Sequence, residues 1–171
     1  MMHKRVIRFF TNYEREEQWL NEMAAQGWHC RGYVFGRYLF ERGEPGAYTY
    51  RIQFLDYPAD HPRSAPYLDF LREAGVEVVA SCFRWVYLRQ AASAGPFELF
   101  SDRESRIAHY RRIIMMLLPL AVVNLAFGTR IFGHGGLTGY LNLGAAAALA
   151  IPVSRYYQKI AKLEKERLIR E

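Results

Sequence analysis

The residues best placed to do chemistry in this sequence are aromatic. Trp28, Tyr33, Tyr38, Tyr50, Trp85 and Tyr87, with Phe35, Phe40, Tyr48, Phe54 and Phe83, all fall on segments that read as β-strands. Aromatic faces attract cations and exclude water, so such a set can line a groove for an apolar or cationic small molecule. Sheet core and cross-strand pairing draw on the same residue types. The first six are taken as the candidate ligand-binding residues.

Bond-making chemistry finds little to work with. His3, His29, His61, His109 and His134 are scattered, without H-E-x-x-H spacing, and the two cysteines, Cys30 and Cys82, form no C-x-x-C pair. His29 and Cys30 are adjacent on a predicted strand, so their side chains should point to opposite faces. Gly133-His134-Gly135-Gly136 lacks the Lys-Ser/Thr and the preceding strand of a phosphate loop. Glu14, Glu16, Glu17 and Glu22 lie on the first predicted helix and read as a solvated face favoured by the helix dipole. No catalytic residue, no metal ligand set and no cofactor is expected, and the chain does not read as an enzyme.

The elements that must hold the aromatic residues come in a repeating order. Lys4–Phe10 reads as a strand, and Thr11-Asn12-Tyr13-Glu14 has the form of a capping box. A helix then runs to about Gln26, with Gly27 placed as a left-handed terminator. Trp28–Phe35 and Arg37–Arg42 follow as strands, and Gly43-Glu44-Pro45-Gly46 as a turn. Tyr48–Leu55 alternates as a strand with one buried side, and Asp56–Pro66 is a proline-rich loop. Tyr67–Ala74 is a short helix closed by Gly75. Val76–Phe83 and Trp85–Arg89 are a strand pair or one long strand, since neither Gly nor Pro marks a turn between them. Setting residue 19 on residue 67 brings Leu20 onto Leu68, Gly27 onto Gly75 and Phe35 onto Phe83. The fold class is therefore α+β: a duplicated strand-helix-strand-strand unit, expected to pair as one largely antiparallel sheet.

Beyond the small, polar stretch Gln90–Pro96, read as a linker, the composition changes. A second capping box, Ser101-Asp102-Arg103-Glu104, opens a helix that should run straight into an apolar segment at Ile113. Ile113–Phe132 has the roughly 20 residues needed to cross a bilayer, and Leu137–Val153 is near the lower limit. Together they read as a two-helix transmembrane hairpin. Asn124 could bond a neighbouring helix, and Gly144 with the following alanines would permit close approach. The tail from Ser154 reads as a helix with a weak stripe of Tyr156, Ile160 and Leu163. Its charged face could lie on lipid, pack on the juxtamembrane helix or remain solvated. The expected domains are 1–90, 91–112, 113–153 and 154–171.

The net charge of +6 belongs to the second half. Residues 1–100 hold as many Asp and Glu as Lys and Arg, so the excess lies in and beside the hairpin. Juxtamembrane Lys and Arg suit orientation and anionic lipid, which leaves no case for a nucleic-acid partner. Arg111, Arg112, Arg155, Lys159 and Lys162 flank the hairpin, whereas its turn offers only Arg130 and His134. The positive-inside rule places both termini in the cytoplasm of a two-pass cell-membrane protein. Val6–Phe10 is too short for the apolar core of a secretory signal, and the cysteines are expected to be free thiols.

EEQWLNEMAAQGWHC, FERGEPGAYTYRIQFL and FELFSDRESRI together resemble an uncharacterised bacterial membrane family known as a domain of unknown function. The resemblance covers roughly Arg5 to Arg112. Its members often lie beside PadR-type repressor genes, which implies a regulatory setting. The doubled topology also looks like the effector-binding fold of GyrI-type multidrug-sensing domains, without a motif that would carry a ligand residue across. These readings point to a membrane-anchored cytosolic binding module with a regulatory or sensory role. It would bind a partner protein, a second copy of itself or an apolar small molecule, with membrane lipid around the hairpin. The alternative is an accessory subunit of a membrane complex that uses the hairpin as its interface.

Overall fold

The structure, a computed structural model, describes residues 2–100, 102–129 and 136–168. The chain divides into a sheet unit, Met1–Leu99, and a helical unit, Phe100–Glu171.

In the sheet unit the order is β1 (His3–Ile7), α1 (Tyr13–Ala25), β2 (Trp28–Val34) and β3 (Arg37–Arg42), then β4 (Tyr48–Phe54), α2 (Ala65–Glu73), β5 (Val76–Cys82) and β6 (Trp85–Ala91). The strands form two three-stranded antiparallel sheets, ordered β1-β3-β2 and β4-β6-β5, where one sheet was expected. β2 and β5 lie side by side, yet no ladder joins them. Each carries a bulge, between Cys30 and Gly32 in β2 and between Val78 and Ala80 in β5. A bulge disrupts the ladder and twists the strand, which keeps two neighbouring edges from zipping together.

The free edge of β4 is occupied by α1. Asn21 both accepts from the Tyr50 amide (2.8 Å) and donates to its carbonyl (3.0 Å), and Glu17 accepts from the Ile52 amide (2.9 Å). Two helical side chains thus stand in for a partner strand. Both faces of β4 are covered, not one: Tyr50, Ile52 and Phe54 are buried on one face, and Gln53 and Leu55 on the other, where Tyr67 donates to Gln53 (2.8 Å). Leu68 and Leu71 of α2 pack with Val86, Leu88 and Phe97. Because Phe97 enters this core, the sheet unit runs on to Leu99 rather than ending at residue 90.

Both helix caps sit one residue later than the capping-box spacing predicts. Asn12, not Thr11, caps α1, accepting from the Glu14 amide (2.9 Å). Asp102 caps α3 (Arg103–Gly128), accepting from the Ser105 amide (2.7 Å), and Ser101 lies outside the described residues. Asn and Asp are at least as good caps as the Thr and Ser beside them. The two hairpins are a true pair of strands each. Phe35 (φ 44°) and Gly36 (φ 77°) turn the first with two positive φ values, and Phe83 (φ 56°) turns the second without glycine or proline.

The helical unit is α3 packed against α4 (Leu137–Leu168). The juxtamembrane helix and the first apolar run are one helix, and the second apolar run continues into the tail. Both helices are long and apolar enough to span a membrane, with mean hydropathies of 1.6 and 1.3 over their most apolar windows. Their seam buries Tyr110, Ile113 and Ile114 against Ala146, Val153, Tyr156 and Ile160. The tail therefore packs on the start of α3, with Tyr110 stacked on Tyr156 at 5.5 Å. Close approach occurs at Gly128, where a Cβ would meet Leu143 at 2.6 Å, and not at Gly144, which has open space. Asn124 donates to Leu120 O of its own helix (2.8 Å). Arg130 and Gly133-His134-Gly135 of the expected turn lie outside the described residues.

Gly27 and Gly75 give a paired test of this fold. Both end a helix with φ near +80° (78° and 80°), but a Cβ on Gly27 would sit 2.7 Å from Gly43 O, and one on Gly75 would meet nothing. Gly75→Ala should lower stability by about 1 kcal/mol, the left-handed penalty alone. Gly27→Ala should cost clearly more. Chemical denaturation of the two variants, followed by tryptophan fluorescence, measures the difference, and equal losses would contradict the packing described.

Candidate functional site

The sheet unit buries a carboxylate. Glu16, one turn into α1, is only 8% exposed, so the solvated face expected for the helix's glutamates does not hold for it. The apolar stripe Tyr13, Leu20 and Met23 sits at helical spacing around it, and that stripe turns Glu16 inward. Tyr38 from β3 and Tyr87 from β6 each donate a phenolic hydrogen bond to Glu16 Oε1, both at 2.6 Å. Tyr33 from β2 closes the group, its ring centroid 4.9 Å from Tyr38 and 4.4 Å from Tyr87. Trp19, one turn further along α1, meets Tyr38 edge-on at 4.8 Å.

The bulge in β2 makes this arrangement possible. Cys30 faces Phe40 and Tyr33 faces Tyr38 across the ladder, three residues apart on a strand whose side chains alternate. The extra residue between Cys30 and Gly32 resets the alternation, so both reach the core.

Electrostatics set the protonation states. Burial pushes the Glu16 carboxyl above its ordinary pKa, and the hydrogen bonds from Tyr38 and Tyr87 pull it back in part. Burial, together with the neighbouring carboxylate, raises the pKa of Tyr38 and of Tyr87, so both remain protonated donors. Among the described residues no cationic side chain lies within ion-pair distance of Glu16. The result is a buried carboxyl packed among aromatic rings in a low-dielectric core. Its complement is a positive charge carried on an apolar body.

The sequence-predicted residues divide around it. Tyr33, Tyr38 and Tyr87 are brought together on Glu16. Tyr50 is fully buried nearby and donates to Cys30 O (3.2 Å), with its phenol pushed up to about 12 by burial. Trp85 stands against Phe54 (4.8 Å) and Tyr13 (5.6 Å), toward the start of α1. Trp28 is not part of the group. Its ring centroid lies 5.3 Å from Lys4 Nζ and 5.1 Å from the Arg42 guanidinium. Glu16 and Trp19 are the functional candidates that sequence reasoning passed over. The signal for Glu16 was available, because it interrupts the helix's apolar stripe at the stripe's own spacing.

Cys30 and His29 serve structure. Burial pushes the Cys30 thiol up to about 11, so it stays neutral, and it donates to Gly32 O (3.5 Å). His29 Nε2 bonds Glu44 O at 2.8 Å, and its ring meets Tyr48 at 5.1 Å. Arg89, 4% exposed, is fixed by Glu77 (2.7 and 2.9 Å) and lies 4.2 Å over Tyr48.

A family profile matches residues 12–122, nearly two thirds of the chain, and takes in α1, both sheets from β2 onward and most of α3. The chain belongs to the DUF2812 family. That family is described as a protein of unknown function, so membership bears out the expected domain of unknown function and assigns no activity. No match was found among curated proteins, and none among solved structures. In this DUF2812 protein, function has to be argued from Glu16 and its tyrosines.

The buried carboxyls give a signed pH dependence. Glu16 and Glu17 both have their pKa raised above the ordinary 4.5 by burial. A carboxyl with a raised pKa holds its proton more tightly in the folded chain than in the unfolded one. Its contribution is therefore full below pH 4.5 and is lost as the pH rises through the raised value. Glu16→Gln should flatten part of that fall and leave the share of Glu17. Thermal melts of wild type and variant across this interval check it; identical slopes would show that Glu16 is not buried as described.

Proposed function

We propose that this chain is a membrane-anchored sensory module whose sheet unit binds an apolar, cationic small molecule at Glu16, and whose α3–α4 hairpin holds it in the cell membrane. The observation that carries the first part is the buried carboxylate whose partners are neutral phenols. Ionising Glu16 without a counter-charge is unfavourable, and a desolvated cation among Tyr33, Tyr38 and Tyr87 supplies one. Tyr33 is half-buried, so it is the member of the cluster nearest solvent. A regulatory role fits both the site and the PadR-associated bacterial setting that the sequence resemblance implies.

Supporting the anchor, only 17% of the most apolar window of each long helix is buried. The core helix of a water-soluble fold would be mostly covered. Met115, Val122, Val123, Leu125, Leu141 and Ile151 are each at least half exposed, and hydrocarbon is the solvent such a surface needs. The distribution of Lys and Arg then puts both ends on the cytoplasmic side. We also read the sheet unit as an internal duplication. The two halves have the same strand order, and their bulges, terminal glycines and positive-φ phenylalanines recur 48 residues apart.

Titration of the full chain in detergent with tetraphenylphosphonium, read by tryptophan fluorescence, tests the site. A saturable change is expected, weakened roughly tenfold or more by Glu16→Gln and unaltered by Trp28→Phe. A signal that never saturates, or that Glu16→Gln leaves unchanged, would refute it. Alkaline carbonate extraction and a reporter fused after Glu171 test the anchor and its orientation. Release of the chain into the supernatant, or reporter activity outside the cytoplasm, would refute those. If the hairpin were instead the binding surface of an accessory subunit, residues 1–99 alone would fail to bind the probe.

A further inference from the structure

The sheet unit leaves one edge open. Strand β1 ends the order β1-β3-β2. The Arg42 amide donates to Met2 O (3.0 Å) and the Arg8 amide to Gly36 O (2.8 Å), so the even-numbered residues of β1 bond β3. The amides and carbonyls of His3, Arg5 and Ile7 therefore point away from the sheet, and among the described residues none has a partner. The other edges are covered. Asn21 and Glu17 fill that of β4, and the bulged edges of β2 and β5 lie beside each other. The side chains of β1 are basic at one end and apolar at the other. Arg5 and Ile7 stand on the outer face of the sheet, opposite Leu39 and Arg37 of β3, and Ile7 is 69% exposed. Glu41, two residues along β3 from Leu39, is held by Arg31 at 3.1 Å. Arg5, Arg37 and Lys4 have no ion-pair partner among the described residues.

We propose that β1 receives an added strand from an acidic partner protein, a strand in which two β-branched residues precede two carboxylates. In an antiparallel ladder the apolar pair meets Ile7 and Val6, and the carboxylates meet Arg5 and Lys4. Main-chain bonds to His3, Arg5 and Ile7 hold such a strand whatever its sequence, and the cross-strand charges choose it. A second copy of this chain is refused at the same place. β1 itself, HKRVI, holds no carboxylate, so in no register does one copy neutralise Lys4 and Arg5 of another, and a charged edge guards against self-pairing. Helix α2 of a second copy cannot repeat the cap that α1 gives β4 either. Forty-eight residues after Glu17 and Asn21 stand Ala65 and Asp69, and neither an alanine nor an ionised aspartate donates to a carbonyl. Tyr38, which bonds Glu16, lies on the opposite face of β3 from Leu39 and Arg37, so strand binding and cation binding can fail separately.

Fluorescence anisotropy tests it, with the full chain in mild detergent titrated into the labelled peptide Thr-Val-Val-Glu-Glu-Thr. Amide hydrogen exchange over residues 2–8 is the second readout. Saturable binding is expected, together with slowed exchange over that segment. A peptide with both glutamates replaced by lysine should bind roughly tenfold more weakly, and one N-methylated at the amides that face β1 should not bind. Arg5→Glu, at an exposed position, should erase the preference between the two charged peptides. Arg63→Glu, in the loop before α2, should leave it unaltered. Equal binding of the two charged peptides, a preference that survives Arg5→Glu, or binding that neither needs the peptide's amides nor protects residues 2–8 would overturn the proposal. So would protection of residues 2–8 that grows with protein concentration alone, which would make a second copy the occupant.

Discussion

Helix α1 turns three polar side chains inward, and the sheet unit depends on where they go. Asn21 and Glu17 complete the hydrogen bonding of the β4 edge, and Glu16 draws a tyrosine from each sheet onto one oxygen. Burying a carboxylate is unfavourable by several kcal/mol. Hydrogen bonds to a charged acceptor return about 1.5–3 kcal/mol each, so two phenols offset much of that without supplying a counter-charge. The same contacts join the first half of the unit to the second, because Tyr50, Ile52 and Tyr87 all lie beyond the turn at Gly43–Gly46. Helix α2 instead lays Leu68 and Leu71 on its own sheet, against Val86 and Leu88.

The two halves share strand order, bulges and turns but carry different chemistry. Forty-eight residues after Glu16, Tyr33 and Tyr38 stand Ser64, Ser81 and Val86, and forty-eight before Tyr87 stands Leu39. Bulges, turns and strand order recur, while the carboxylate and its phenols occur once. Backbone geometry explains the shared part, since a bulge and a left-handed residue are demands on the chain rather than on any ligand. The polar cluster has no such backbone reason. Its asymmetry supports a selected role for Glu16 over a by-product of packing.

Most of the elements were legible in the sequence, because alternation, capping residues and terminal glycines act within a few residues of one another. What depended on distant partners was not. Whether six strands make one sheet or two is decided at the β2 and β5 bulges, and nothing in Arg31 or Val79 announces a bulge. The turn at Phe83 carries no glycine, and only the placement of Phe35 forty-eight residues earlier hinted at it. Close approach of α3 and α4 was sought at Gly144 and found at Gly128, since small residues permit contact without saying where it falls. Glu16 was hidden by a sufficient local explanation: an acidic residue in a helix's first turns is stabilised by the dipole whether or not it is buried.

The proposed cation site and the proposed membrane anchor make sense together for one class of ligand. Lipophilic cations accumulate at membranes, drawn by the negative surface potential of the cytoplasmic leaflet and by partition of their apolar bodies. A receptor tethered to that surface meets them at a local concentration well above the bulk value, which lets a site of modest affinity fill. Proton and cation would compete for Glu16, because each neutralises the same charge. Occupancy would then lower the pKa of the carboxyl and return part of the stability that burial removes. On the proposed reading the two tyrosines hold the Glu16 carboxyl in the core and the cation supplies its counter-charge.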